Sequence, residues 1–148
     1  MDLRLPLFFA LIFITQGGLT ATQTADAPRT FTLLLLNGKT GSPIRWRGAP
    51  SIGFPSGQTS AQRTNFFGKE TVRVDNPDDR QVDVSVDFID KDCRSENYER
   101  RGETYSIEEI LKSGVVSKNF CGKYHAQPRP GLLAIYVVPA TFKELWYE

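Results

Sequence analysis

Hydrophobic and polar residues alternate most clearly between Val82 and Phe88. Valine or phenylalanine occupies every even position of this segment, and aspartate or serine occupies every odd one. A period of two predicts a half-buried strand with one face in water. The segment 70–74 alternates in the same way, with Val72 and Val74 on one face. The pattern therefore predicts two amphipathic strands in the middle of the chain.

Two uninterrupted apolar runs stand near the ends of this region. They cover Thr30–Leu36 and Leu132–Val138, and each has the length of a strand buried on both faces. Shorter strand candidates cover Ser51–Phe54 and Arg63–Phe67. Turn-forming residues separate these segments, at 37–43, 55–57, 76–79 and 130–131. Six or seven short strands predict an all-β fold, an Ig-like or prealbumin-like β-sandwich of about seven strands.

One short helix is predicted to interrupt the strands. Ser106 and Glu109 have the spacing of a capping box, with Ser106 as the N-cap. The apolar residues that follow fall on one helical face: Ile107, Ile110 and Leu111. Gly114 is placed to end the helix. A helix this short is not stable alone, so we expect it to pack on the sandwich.

The first residues of the chain have the three parts of a secretory signal peptide. A basic residue, Arg4, precedes the apolar run Leu5–Ile14, and small or polar residues follow. The run is shorter than the roughly 20 residues that a membrane-spanning helix needs. We therefore predict a signal peptide over residues 1–25, cleaved after Ala21 or Ala25. A core strand or helix at the N-terminus is the alternative.

Removal of this segment would leave residues 26–148 as a single domain of ordinary size. No cysteine stands directly after the apolar run, where a bacterial lipid anchor would be attached, so such an anchor is excluded at the usual site. No second long apolar stretch follows. We expect a soluble protein, secreted or periplasmic, with no membrane span after signal cleavage. The 18 basic and 17 acidic residues give a net charge of +1, from which we expect no basic face and no nucleic-acid partner.

The chain contains two cysteines, Cys93 and Cys121. In an oxidising compartment an even pair in a small domain predicts a disulfide, worth about 3–4 kcal/mol in the chain-entropy model. A metal site would need more ligands than these two residues and His125 supply, so we expect no metal. A reactive thiol is the other alternative. Because the cysteines flank the predicted helix, we expect the bridge to hold that helix to the strands on either side.

Turn motifs between Leu36 and Val86 occur in an order and spacing that resemble those of a known family. The motifs are Asn37–Ile44, then Gly48–Ile52, then Thr64-Asn65 with Gly68, then Val72–Val74. They resemble the carboxypeptidase regulatory-like domain, a transthyretin-like β-sandwich of exported bacterial proteins. Lys69-Glu70 departs from that pattern, because the family usually has an aromatic residue after the last glycine. The resemblance implies a sandwich fold and a non-catalytic, accessory or binding role, and it carries over no site residue.

Familiar catalytic motifs are absent from the sequence, and we expect no enzyme and no cofactor. The single histidine, His125, lies in a loop-like segment without a nucleophile-elbow motif, and no phosphate-binding loop is present. Two acidic groups have spacings that could gather around calcium, namely Asp87, Asp90 and Asp92, and Asp75, Asp78 and Asp79. Neither has the glycine and distal glutamate of an EF-hand, so solvated turns are the simpler interpretation.

Three hypotheses for the function follow. The leading one is an exported, non-enzymatic sandwich that binds a protein or a cell-envelope component, for example through an exposed strand edge. The alternative is a carbohydrate-binding module in which Trp46, flanked by Arg45 and Arg47, stacks on a sugar ring. The second alternative is an unfamiliar enzyme centred on His125.

Overall fold

In the computed structural model, the described residues are 29–45, 50–57, 59–60, 65, 67–86, 91–97 and 102–140. They form two β-sheets and one short helix, which confirms the all-β sandwich. The predicted signal peptide lies outside the described residues, as do Trp46 and Arg47. Within the described part of the chain, no helix is long and apolar enough to cross a membrane.

Nine strands and one helix make up the described secondary structure. The strands are β1 (Arg29–Asn37), β2 (Ser51–Gly53), β3 (Thr59–Ser60), β4 (Lys69–Val74), β5 (Gln81–Ser85), β6 (Lys91–Asp92), β7 (Glu103–Ser106), β8 (Val115–Val116) and β9 (Leu132–Val138). The helix, α1, covers Ile107–Lys112. Both apolar runs and the alternating segment 70–74 are strands, as their patterns predict. Of the alternating segment Val82–Phe88, the part up to Ser85 belongs to β5, Val86 follows the strand, and residues 87–88 lie outside the described part of the chain.

The first sheet is mixed, with the order β4-β1-β9-β6, and β8 also pairs with β9. β9 runs parallel to β1 and β8 and antiparallel to β6, whereas β1 and β4 are antiparallel. The second sheet has the order β3-β2-β5-β7 and is antiparallel throughout. The two long apolar runs, β1 and β9, therefore lie side by side in the centre of the first sheet.

The main core lies between the two sheets. Alternate residues of the strands supply it, as the period of two requires: Phe31, Leu33, Leu35, Ile52, Val72, Val74, Val82, Val84, Leu133, Ile135 and Val137. The buried residues of the helix, Ile107 and Ile110, join the same core. Packing on the core thus supplies the stability that a six-residue helix lacks on its own.

The opposite face of the first sheet carries a second, smaller apolar cluster. Its buried members are Leu36, Cys93, Ala134 and Tyr136. Cys121 and Ala126 pack against it from the segment 117–131, which we call the roof. The roof explains why β1 and β9 are apolar on both faces, since one face meets the second sheet and the other meets the roof.

The ends of α1 are those that the sequence predicts. The hydroxyl of Ser106 accepts a hydrogen bond from the backbone N–H of Glu109, at 3.3 Å. Gly114 has a φ of +80° and donates its N–H to the carbonyls of Glu109 and Ile110. A left-handed glycine in this position satisfies the last carbonyls of the helix.

Two local expectations differ from the structure. The strand predicted over Arg63–Phe67 does not reach Phe67, because Asn65 forms a turn that receives the N–H groups of Phe67 and Gly68; residues 61–64 and 66 lie outside the described part. The disulfide does not hold the helix to its flanking strands. It joins the end of β6 to the roof.

Candidate functional site

The roof is attached to the first sheet by covalent and hydrogen bonds. Cys93 and Cys121 form the predicted disulfide, with their Cα atoms 5.3 Å apart. The N–H of Phe120 donates to the carbonyl of Cys93 at 2.8 Å, and the N–H of Ser117 donates to the carbonyl of Ala134 at 2.9 Å. These bonds fix the first half of the roof to β9 and to the end of β6.

Close approaches at two glycines hold the roof near the turn after β1. A Cβ atom on Gly41 would clash with the ring of Tyr124, and one on Gly38 would lie 2.6 Å from the Sγ atom of Cys93. The Tyr124 ring also meets Tyr136 edge-on, with the ring centroids 6.3 Å apart. The backbone N–H of Ala126 donates to the Tyr136 hydroxyl. These contacts fix the second half of the roof against the first sheet, as the disulfide and the main-chain hydrogen bonds fix the first half.

A cleft of about 570 Å³ lies between the roof and the strands β1 and β4. Its size falls within the range of roughly 300–1,000 Å³ that small-molecule sites occupy. Thr32, Leu34 and Leu36 form its floor on the outer face of β1. The remaining lining residues are Gly41, Pro43, Lys69, Tyr124, His125, Ala126, Gln127, Arg129, Pro130, Gly131 and Leu132.

The pairing of the strands places a lysine beside the apolar floor. Leu34 lies opposite Lys69 in the antiparallel pair and beside Ala134 in the parallel one. Side chains that are directly opposite in a sheet stand on the same face, with Cβ atoms about 5 Å apart. Lys69 is exposed, Leu34 is half-buried and Ala134 is buried. Across β9, β1 and β4 this face therefore presents in turn a buried alanine, a half-buried leucine and an exposed lysine.

The described lining of the cleft contains three basic side chains. They are Lys69, His125 and Arg129, and no aspartate or glutamate is among the described lining residues. Lys118 and Lys123 are exposed elsewhere on the roof, which contains no acidic residue. From the overall charge balance we expect no basic face. The described residues nevertheless place these basic side chains together, on the roof and in the cleft beside it.

Large hydrophobic side chains are exposed on the same parts of the molecule. Among the described residues, those with high exposure are Phe67 at 63%, Tyr124 at 44% and Phe120 at 41%. Phe120 and Tyr124 belong to the roof, and Phe67 lies in the turn just before Lys69. A second, shallower recess between 116–120 and His125 has a volume of about 450 Å³. Exposed aromatic residues next to a recess are typical of contact surfaces.

A buried ion pair connects the two sheets at the opposite edge of the sandwich. Asp92 and Arg94 form it, with side chains only 2% and 4% exposed and Oδ2 and Nη2 2.6 Å apart. Nη1 of Arg94 also donates to the Val84 carbonyl at 2.9 Å and to the Tyr105 hydroxyl at 3.3 Å. The Tyr105 hydroxyl in turn donates to a carboxylate oxygen of Glu103 at 2.6 Å.

Burial and hydrogen bonding in this network shift the pKa values of Arg94 and Tyr105. Burial by itself would lower the pKa of Arg94, but its hydrogen bonds to Asp92 and Tyr105 outweigh that effect and hold the pKa above its ordinary value. Burial raises the pKa of the Tyr105 hydroxyl, against the opposing effect of Arg94. Because the guanidinium is already shared among protein acceptors, this network is a structural connection between the sheets.

The acidic groups considered for calcium do not gather into a site. The carboxylate of Asp92 is taken up by Arg94, and Asp87 and Asp90 lie outside the described residues. Asp75 pairs with Arg73 at 2.7 Å, and the buried Asp79 accepts hydrogen bonds from the N–H and the hydroxyl of Ser56. Within the described part, no three His, Cys, Asp or Glu side chains are grouped as metal ligands would be.

The structure separates the other residues named from the sequence. His125 is exposed and lines the cleft, where no carboxylate or serine is found among the described lining residues, and it borders the second recess together with Ser117. Arg45 is exposed, and its partners in the carbohydrate hypothesis, Trp46 and Arg47, lie outside the described residues. Leu34, Lys69 and Arg129, which line the cleft, are not among the site residues that the sequence predicts.

One feature of the sequence does indicate this basic face. No aspartate or glutamate occurs between Ile110 and Lys143, whereas Lys112, Lys118, Lys123, Arg129 and Lys143 do. A local run of one sign indicates an asymmetric surface even when the total charge is balanced.

Comparison of the chain with protein-family models, with curated proteins and with solved structures finds no match. The candidate site therefore rests on its own geometry.

Proposed function

We propose that the chain is an exported, non-enzymatic β-sandwich domain that binds a protein or a cell-envelope component in the cleft beside the roof. The observation that carries the proposal is the outer face of β1, where Leu34 is left half-buried at the floor of an open cleft. An apolar floor with a few polar and charged groups at its border is the usual composition of a ligand site.

The rigid attachment of the roof supports a binding role. A disulfide, main-chain hydrogen bonds and glycine contacts position the wall that contains Tyr124 and Arg129. A wall that is positioned before the ligand arrives lowers the entropy cost of binding. The resemblance to the carboxypeptidase regulatory-like family implies the same non-catalytic character.

Export is supported by the N-terminal pattern and by the disulfide. Residues 1–25 have the composition of a signal peptide, and Cys93 is bonded to Cys121. Structural disulfides persist in the oxidising compartments outside the cytosol. These two features, one from the sequence and one from the fold, favour a secreted or periplasmic location.

The cleft is a better candidate than the neighbouring strand edge formed by β4. β4 pairs with β1 alone among the described strands, which leaves it at one edge of the first sheet. It carries Lys69, Glu70 and Arg73, and charged side chains on an edge strand oppose the addition of another strand. The neighbouring floor of the cleft, formed by Thr32, Leu34 and Leu36, carries no charged side chain that would oppose contact with a partner.

Site-specific photocrosslinking in the native host tests the proposal. A photoreactive amino acid replaces Gln127, which lines the cleft, or Ser85, which is exposed on the other sheet as a matched control. We expect a discrete adduct from position 127 and none from position 85. Absence of an adduct at 127, or equal adducts at both positions, would contradict the cleft as the binding site.

A further inference from the structure

We infer that the cleft binds an anionic amphiphile, a single acyl chain with a carboxylate or phosphate head group. The inference rests on the proposed function and specifies its ligand. It depends on two properties that the same cleft combines, an apolar floor and a border that carries Lys69 and Arg129 but no carboxylate among its described residues. Neither property alone selects this class of ligand.

The floor provides the surface for an acyl chain. Leu34 and Leu36 lie on the outer face of β1, and Pro43 and Leu132 border them. Thr32 adds one hydroxyl at the edge of this floor, but the four other side chains are aliphatic and lack hydrogen-bonding groups, so they favour a flexible hydrocarbon over a polar sugar ring or an extended peptide backbone. A hydrocarbon chain on this surface would cover the part of Leu34 that the roof leaves exposed.

The border provides the selectivity for an anion. Lys69 and Arg129 line the cleft, and neither forms a salt bridge with a described residue. A guanidinium can bind a carboxylate or a phosphate through two parallel hydrogen bonds, and an ammonium adds a point charge. A cationic head group would find no carboxylate in the lining and would be repelled by both residues.

The position of the charges favours a ligand inside the cleft over a charged surface outside it. Lys118 and Lys123 are exposed on the roof but do not line the cleft. A membrane surface or a nucleic acid would engage such lysines as strongly as Lys69, because its many charges act over a wide area. A single acyl chain would depend on Lys69 and Arg129 and be nearly indifferent to Lys118.

Calorimetric titration of the processed, disulfide-bonded protein tests the inference. The probes are dodecanoate, dodecyl phosphate and dodecyltrimethylammonium, each below its micelle-forming concentration. We expect both anions to bind at least about tenfold more tightly than the cation. Lys69→Gln and Arg129→Gln should each weaken anion binding by about five- to tenfold, whereas the matched control Lys118→Gln should change it less than about twofold. Two variants on different elements keep the test valid if one fails to fold.

Other results would overturn the inference. Equal binding of the three probes would show that the cleft does not distinguish head groups. Equal weakening by Lys69→Gln and Lys118→Gln, or tight binding to anionic vesicles that depends on both lysines, would indicate a surface interaction. If no probe binds while the crosslink from position 127 persists, the ligand class is wrong but the proposed function stands. Loss of that crosslink would contradict both the ligand class and the proposed function.

Discussion

Cys93 and Arg94 are adjacent in sequence, but their side chains serve opposite faces of the first sheet. Cys93 is bonded to Cys121 in the roof, and Arg94 reaches the Val84 carbonyl of the second sheet at 2.9 Å. β6 ends at Asp92, and both residues lie in the turn that follows it, where the two side chains point to different sides of the first sheet. The end of β6 therefore joins the roof, the first sheet and the second sheet.

Removal of the disulfide should loosen the roof before it affects the sandwich. In the double variant Cys93→Ala/Cys121→Ala we expect the free energy of unfolding to fall by about 3–4 kcal/mol, because the unfolded chain is no longer constrained. Hydrogen exchange should accelerate in the roof while the amides of β1 and β9 stay protected. Uniform acceleration in the roof and in the two strands would contradict this picture.

Breaking the buried ion pair should cost far more than breaking the exposed one. We expect Asp92→Ala to lower the free energy of unfolding by about 3–5 kcal/mol, because it leaves the Arg94 guanidinium buried without its carboxylate. The matched control is Asp75→Ala, which removes a pair with Arg73 whose side chains are 57% and 66% exposed. That loss should stay below about 1 kcal/mol. Chemical denaturation of the oxidised protein measures both, and similar losses would argue against a structural role for the Asp92–Arg94 pair.

The contact between Gly41 and Tyr124 should make Gly41 intolerant of a side chain. Gly41→Ala combines a φ of +72° with a clash against the ring, and we expect it to cost about 2–4 kcal/mol. Gly57→Ala separates the two effects, since Gly57 has a φ of +87° with no heavy atom within 4 Å of the added Cβ. It should cost only about 1–2 kcal/mol.

A second substitution tests the clash directly. In Gly41→Ala/Tyr124→Ala the ring is absent, so the loss of stability should be smaller than the sum of the two single losses. Thermal unfolding of the three variants gives the coupling energy. Additive losses would mean that the ring and Gly41 do not constrain each other.

Stability should fall in alkaline solution because of two buried tyrosines. Burial raises the pKa of Tyr136, and burial likewise raises that of Tyr105 against the effect of Arg94. The folded state then keeps these protons to higher pH than the unfolded chain. The stabilisation is complete below the ordinary tyrosine pKa of about 10 and is lost as the pH rises through the folded values.

Melting temperatures between about pH 8 and pH 11 measure this loss. We expect Tyr136→Phe to make the alkaline decline shallower, because one of the two groups is removed. Tyr105→Phe removes the other buried tyrosine and should likewise make the decline shallower. If the parent protein and both variants show the same slope, ionisation of these tyrosines is not the cause of the decline.

The protein recovered from its native compartment should be processed and oxidised. We expect an intact mass that begins after Ala21 or Ala25, with both cysteines protected from alkylation until a reductant is added. A full-length mass with two free thiols would contradict export and would remove the compartment on which the proposed function depends.

Local patterns of the sequence were enough to predict most of the strands and the helix. The alternation around Val82 and Val84 and the apolar run Leu132–Val138 correspond to β5 and β9, because the period of side chains in a strand is a local property. The capping residue Ser106 was identifiable for the same reason, since an N-cap bonds to a backbone group only three residues away. The disulfide followed from the number of cysteines.

The cleft was decided by the tertiary structure. Lys69 stands beside Leu34 because β4 pairs with β1 in one register, and Arg129 borders the same floor because the roof folds back over that sheet. The sequence by itself determined the strands β1, β2, β4, β5 and β9 and that both faces of β1 would be covered, but it did not identify the short strands β3, β6, β7 and β8. It did not determine what covers the outer face, because strand order and long-range pairing depend on packing among residues far apart in the chain, which periodicity does not encode.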